Sequence, residues 1–258
     1  GVLNWNGNTV VYYYGVWYYV NGGRVDWNYD GVWYENGVLY FIDDGAVIYI
    51  AKPETKEEVL AFYQNAVRNV AVSGNAGYSY KMWEEVTKAE VTNSSLPPSV
   101  TGIITSMTVS EEEAEKYNYS IGSDEARENI ALSNCSANSV QSATIEEKGG
   151  NYIITIVMKD QVNPQKTDTD GVSVMSTNIL YADDLEEVLD GTSIIKNSAI
   201  DCSYSNYTIV AEVTKNGELV SVKHSSRLGM NADVAASFGK MTMIIDMNIY
   251  EEYSSFTY

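Results

Sequence analysis

The chain of 258 residues is long enough to bury a sizeable core, and its 45% hydrophobic content excludes wholesale disorder. Its 16 Lys and Arg against 35 Asp and Glu leave a net charge of −19, a field that repels phosphate backbones and anionic lipid and so argues against nucleic-acid and polybasic membrane roles. No apolar run reaches the ~18 residues of a membrane span, and the start at Gly1, without methionine or an apolar signal core, is that of a mature or trimmed product with any export signal already removed.

Before Lys52 the chain is crowded with Trp, Tyr, Gly, Asn and Val and holds no Pro. Three stretches look alike. Gly1-Val2 leads to Asn6-Gly7, Gly15-Val16-Trp17-Tyr18-Tyr19-Val20 leads to Asn21-Gly22, and Gly31-Val32-Trp33-Tyr34-Glu35 leads to Asn36-Gly37. Each is a β-prone run closed by Asn-Gly, a strong hairpin signal because both turn residues take positive φ. Asp43-Asp44-Gly45 is a further turn, between Tyr40-Phe41-Ile42 and Ala46 to Ile50. One hairpin cannot bury its face alone, whereas stacked neighbours can. The pattern therefore predicts an N-terminal β-hairpin repeat module over 1–51 and a second domain over 52–258.

The string G-V-W-Y-Y-V-N-G-G-R-V-D from Gly15 to Asp26, followed by W-N-Y-D-G, resembles the W-Y-Y-x-x-N-G repeats of Gram-positive surface proteins. These belong to the cell-wall-binding repeats that include choline- and glucan-binding modules. The resemblance covers about a fifth of the chain, with a shorter spacing than choline-binding repeats. It implies an extracellular, cell-surface protein attached to cell-wall polymer, glycan or another surface protein, and not an enzyme. The candidate ligand-binding rings are Trp17, Tyr19, Trp33 and Tyr40. Aromatic faces hold quaternary ammonium groups through the ring quadrupole, and sugar C–H faces stack on Trp and Tyr. Mutual packing of the same rings across strands is the alternative use.

Beyond Lys52, Thr55 and Glu58 spell a capping box, and Val59, Leu60, Phe62, Tyr63, Ala66, Val67 and Val70 recur at helical spacing. Tyr78 to Val91 reads as a strand, with helix as the alternative. A surface loop is expected over Asn93 to Ser99 and a strand or buried link over Val100 to Val109. Ser110 with Glu113 predicts a short acidic helix to about Tyr117, and Ser123 caps another over Asp124 to Leu132. The second half reads as hairpins: Ala143 to Glu147 with Tyr152 to Lys159, then Tyr207 to Thr214 with Leu219 to Lys223. A polar excursion runs from Val162 to Thr177, and a short helix from Asp183 to Leu189. The last strand, Lys240 to Tyr250, places Met241, Met243, Ile245, Met247 and Ile249 on one face. This order predicts an α+β fold, in which a curved antiparallel sheet packs on one main helix. By element order alone it resembles the open half-barrels of some exported bacterial lipoproteins.

Chemistry-bearing motifs are sparse. His224 is the sole histidine and is expected at a strand end on the surface, which rules out multi-His metal sites. Asp168-Thr169-Asp170-Gly171 resembles the middle of a calcium loop, but Lys166 and Thr177 occupy its first and twelfth ligand positions. Cys135 and Cys202 fit neither zinc nor redox spacing and are either paired or two buried thiols. No catalytic residue, metal site or cofactor is expected. The Met face of the last strand leaves one alternative function, an exported module holding a lipid or other apolar ligand under the curved sheet.

Overall fold

The computed structural model describes residues 7–36, 38–92, 109–190, 195–236 and 239–258. The fold is α+β and mostly antiparallel sheet. The first sheet contains β1 (Asn8–Tyr13), β2 (Val16–Asn21), β3 (Arg24–Val25), β4 (Gly31–Glu35), β5 (Val38–Asp43) and β6 (Ala46–Ile50). Its order is β1-β2-β6-β5-β4, with β3 paired to β2. The strands are thus not a sequential row of hairpins, because β6 returns between β2 and β5. The return is tight: Tyr19 N donates to Gly45 O at 2.9 Å and Gly45 N to Tyr29 O at 3.1 Å. A Cβ on Gly45, whose φ is +73°, would lie 2.5 Å from Asp26 O, so this crossing needs glycine. The expected turns at Asn6-Gly7 and Asn36-Gly37 fall partly outside the described residues.

The first sheet curls until its two edge strands meet. Glu35, on β4, accepts from Thr9 Oγ1 at 2.7 Å and Val10 N at 3.0 Å on β1, and from Trp33 Nε1 at 2.9 Å.

Helix α1 (Lys56–Ala71) follows, capped by the predicted Thr55–Glu58 box, with Val59, Phe62, Tyr63, Val67 and Val70 buried. The second sheet runs β8-β7-β14-β13-β12-β10-β9, with a short β11 beside β12. Its strands are β7 (Gly77–Val91), β8 (Lys116–Tyr119), β9 (Val140–Lys148), β10 (Asn151–Met158), β11 (Gln161–Val162), β12 (Ile195–Val213), β13 (Leu219–Ala236) and β14 (Gly239–Thr257). Helix α1 packs against β9, β10 and β12 on one side and β5 of the first sheet on the other. The described residues also hold two shorter α-helices, α2 (Asp124–Glu128) and α3 (Ala182–Asp190), the latter against β12, and a 3-10 turn at Gly171–Val174.

Tyr78 to Val91 is strand, as expected, and pairs along β14 as part of β7. Other expectations need correction. Ser110 to Glu113 forms a turn in which Ser110 Oγ donates to the Glu113 carboxylate at 2.9 Å, and Lys116 to Tyr119 joins the sheet edge beside β7. Pairing with β7 outweighs a local helix of one turn. The helix after Ser123 stops at Glu128, short of Leu132. The loop at Asn93 to Ser99 and most of the link at Val100 to Val109 lie outside the described residues. Cys135 and Cys202 are both free and buried. Burial pushes their thiols up to about 12 and about 11, so both are protonated and inert near neutrality. Among the described residues no helix is long and apolar enough to cross a membrane.

Candidate functional site

Three of the four candidate rings lie inside the fold. Trp17 is 9% exposed, and Tyr19 and Tyr40 are each 2% exposed. Trp17 stands 5.3 Å from Tyr12 and 5.7 Å from Tyr40 between ring centroids, and its Nε1 donates to Asn216 O at 2.7 Å. Tyr19 stacks on Tyr29 at 3.9 Å and meets the edge of Trp33 at 5.1 Å. Trp33 is half-buried with its N–H committed to Glu35. Burial holds the Tyr40 phenol well above its usual range, with the Glu35 carboxylate adding to the effect. The structure therefore brings the rings together as two packed pairs, Trp17 with Tyr40 and Tyr19 with Trp33. The role of Trp17, Tyr19 and Tyr40 as ligand walls is corrected: their faces are covered by neighbouring rings and by the turn around Asn216 and Glu218, to which Tyr12 OH also donates.

The aromatic residues missed by that choice stand on the opposite face. Successive side chains of a strand point to opposite sides. Val32, Phe41 and Tyr49 are partners across β4, β5 and β6 and share the outer face, as do Tyr34 and Leu39 beside them. Tyr13 and Val16 form an outward pair on β1 and β2. Tyr34 is 62% exposed, and Tyr13, Val16, Val32 and Tyr49 are exposed as well. Ile48, the extra residue of a bulge in β6, and Trp27, edge-on to Tyr18 at 5.6 Å, extend the patch. The first sheet is thus apolar on both faces, one forming core and the other meeting solvent. A contiguous exposed apolar face of this kind is a candidate interaction surface.

A second constellation is wholly internal. His224 lies within β13, opposite Ile209 on β12 and Glu251 on β14, and is buried. This corrects its expected place at the surface, since two flanking strands cover it. Burial holds the neighbouring Tyr207 phenol protonated. It shares a hydrogen bond of 3.0 Å with His224 Nδ1. Glu251 accepts from Ser176 Oγ at 2.5 Å and Tyr253 OH at 2.9 Å, with Tyr80 OH and Asn178 Nδ2 each at 3.5 Å. The imidazole and carboxylate face Tyr63, Tyr207 and Tyr253 rather than solvent.

The buried imidazole sets a pH response. Burial lowers the His224 pKa below its ordinary value, against a smaller upward pull from Glu251. The unfolded chain therefore takes up a proton first as pH falls. Stability is full above about pH 6.5 and declines below it, by up to ~1.4 kcal/mol per pH unit, until the folded-state pKa is reached. Urea unfolding between pH 7.5 and 5 is expected to show this slope. His224→Gln, which keeps a hydrogen-bonding group for Tyr207, is expected to flatten it; an equal slope in both proteins refutes the assignment.

Surface clefts lie elsewhere among the described residues. One of about 470 Å³ is lined by Asn138, Lys159, Asp160 and Asp168, and one of about 380 Å³ by Thr92, Asp233 and Met241, among others. Carboxylates of the Asp168-Thr169-Asp170-Gly171 stretch serve their own loop: Asp168 accepts from Gln161 and Gln165 N, and Asp170 from Ser136 and Gly171 N. Among the described residues no group of three or more His, Cys, Asp or Glu side chains is placed to hold a metal ion. No protein-family model matches the chain, and neither the curated proteins nor the solved structures give a match.

Proposed function

We propose that this is a non-catalytic, extracellular protein of a bacterial cell surface that attaches to a wall glycan through the outward face of its first sheet. The observation that carries the reading is the exposed aromatic row on that face, with Tyr13, Trp27, Tyr34 and Tyr49 turned to solvent. Flat rings set on a rigid sheet offer stacking surfaces for sugar C–H faces at little cost in conformational entropy. The segment 1–51 carries Asp26, Asp30, Glu35, Asp43 and Asp44 against Arg24 alone. An uncharged glycan therefore suits it better than a phosphate-rich polymer. The repeat-like turns of residues 1–51 and their resemblance to cell-wall-binding repeats point the same way. The alternative, a lipid held beneath the curved sheet, draws no support from the packing, because Phe62, Tyr63, Tyr204, Tyr207 and Tyr253 fill the interior there.

The test is co-sedimentation with Gram-positive sacculi stripped of teichoic acid. The full chain is expected to be retained, and a Trp27→Ala/Tyr34→Ala double variant to bind about tenfold more weakly, as for loss of aromatic anchors. Equal retention of the two proteins overturns the reading.

A further inference from the structure

The turn between β1 and β2 departs from the chemistry of the others. Between the strands of the first sheet, Tyr14, Gly22, Asn36 and Asp44 take positive φ among the described residues. Gly, Asn and Asp are the residues that tolerate this region. Tyrosine does not, yet Tyr14 sits there with φ +46°, followed by Gly15 at +85°. Every other non-glycine residue with positive φ among the described residues is Asn, Asp or Ser.

Packing does not account for this choice. Tyr14 is 87% exposed, and its ring contact is with Tyr13, edge to face at 4.4 Å between centroids. Tyr13 is itself outward-facing on the aromatic side of the sheet. A bulky ring is thus held in a strained backbone conformation at a loop tip, where it gains almost no burial. Strain of this kind persists where it serves a site. The tip also adjoins the outer face that the glycan reading uses, through the Tyr13–Val16 pair.

We infer that Tyr14, with Tyr13, is a contact residue for an uncharged glycan, forming an end-wall of the outer aromatic face against which a sugar ring stacks. This rests on the glycan reading above. The acidic character of the segment, five carboxylates against one guanidinium, selects the uncharged polymer over an anionic one. The geometry makes Tyr14 a residue whose fold cost and binding contribution have opposite signs.

That opposition supplies the experiment. Tyr14→Asn places a turn-compatible residue at the tip. Relief of the strain is expected to raise the thermal midpoint by about 2–4 °C. The same change is expected to weaken binding to teichoic-acid-free sacculi by about tenfold. A higher midpoint with unchanged binding overturns the inference about Tyr14 and leaves the outer-face reading standing, provided that the Trp27→Ala/Tyr34→Ala variant still binds weakly. A midpoint that stays or falls overturns the strain argument and the inference with it. Failure of the unaltered chain to sediment with the sacculi overturns both readings.

Discussion

Replacing Glu251 by Ala is expected to lower the unfolding free energy by about 2–6 kcal/mol, at about 1–3 kcal/mol for each of two buried donors left without an acceptor. The carboxylate sits in β14 at 3% exposure and is the shared acceptor for Ser176 and Tyr253, with Tyr80 and Asn178 close by. Alanine leaves the two nearest donors unsatisfied where water does not reach, and it opens a void under Tyr63 and Tyr207. Asn178 also donates to Tyr80 OH at 2.7 Å, so the loss propagates to a second polar contact. Glu251→Gln keeps one carbonyl acceptor and is expected to lose roughly half as much. Urea titration followed by circular dichroism reads both variants. A loss below about 1 kcal/mol for the alanine variant would mean that the donors find other partners, and that Glu251 is not what holds this network.

The Trp17→Ala variant is expected to lose a similar amount, about 3–5 kcal/mol, as for other buried aromatic truncations. The indole packs between Tyr12 and Tyr40, and its N–H ties the first sheet to the β12–β13 turn at Asn216. Its removal therefore both empties core volume and cuts a cross-sheet hydrogen bond. Tyr34→Ala, on the opposite face of the same sheet, is expected to change stability by no more than about 0.5 kcal/mol. Intrinsic fluorescence during urea unfolding separates the two. Similar losses from both variants would show that the sheet's faces are not divided into core and surface.

This division explains what the sequence made legible. Turn chemistry was plain at Asp44-Gly45, Gly149-Gly150 and Asn216-Gly217, where glycine with a polar or glycine neighbour forces positive φ. The periodicity of α1 and the alternation along β14 also marked their buried faces correctly, since the other face of each carries more polar residues. The first sheet offered no such contrast. Tyr12 and Tyr13, or Trp33 and Tyr34, are adjacent residues of equal apolar character, so alternation reveals two faces without saying which is core. The choice is made at long range, by Asn216 and Glu218 meeting Trp17 and Tyr12 about two hundred positions away in sequence. His224 was obscured for a similar reason. Its neighbours Lys223 and Ser225 suggest a surface, but strands on both sides and the Tyr207 hydroxyl make the position interior.

The carboxylate bridge from Glu35 to Thr9 and Val10 bears on strand addition at the rim of the first sheet. A ribbon that is greasy on its outer face, with bare amides along its rim, would template strand addition by neighbouring copies. Where Glu35 occupies the Val10 amide, it caps one hydrogen-bonding position that an incoming strand would otherwise use. Its negative charge, repeated on every copy of a molecule already at −19, also makes end-on approach of a second ribbon unfavourable. The same side chain that closes the curl thereby blocks one place at the rim where a further strand would pair.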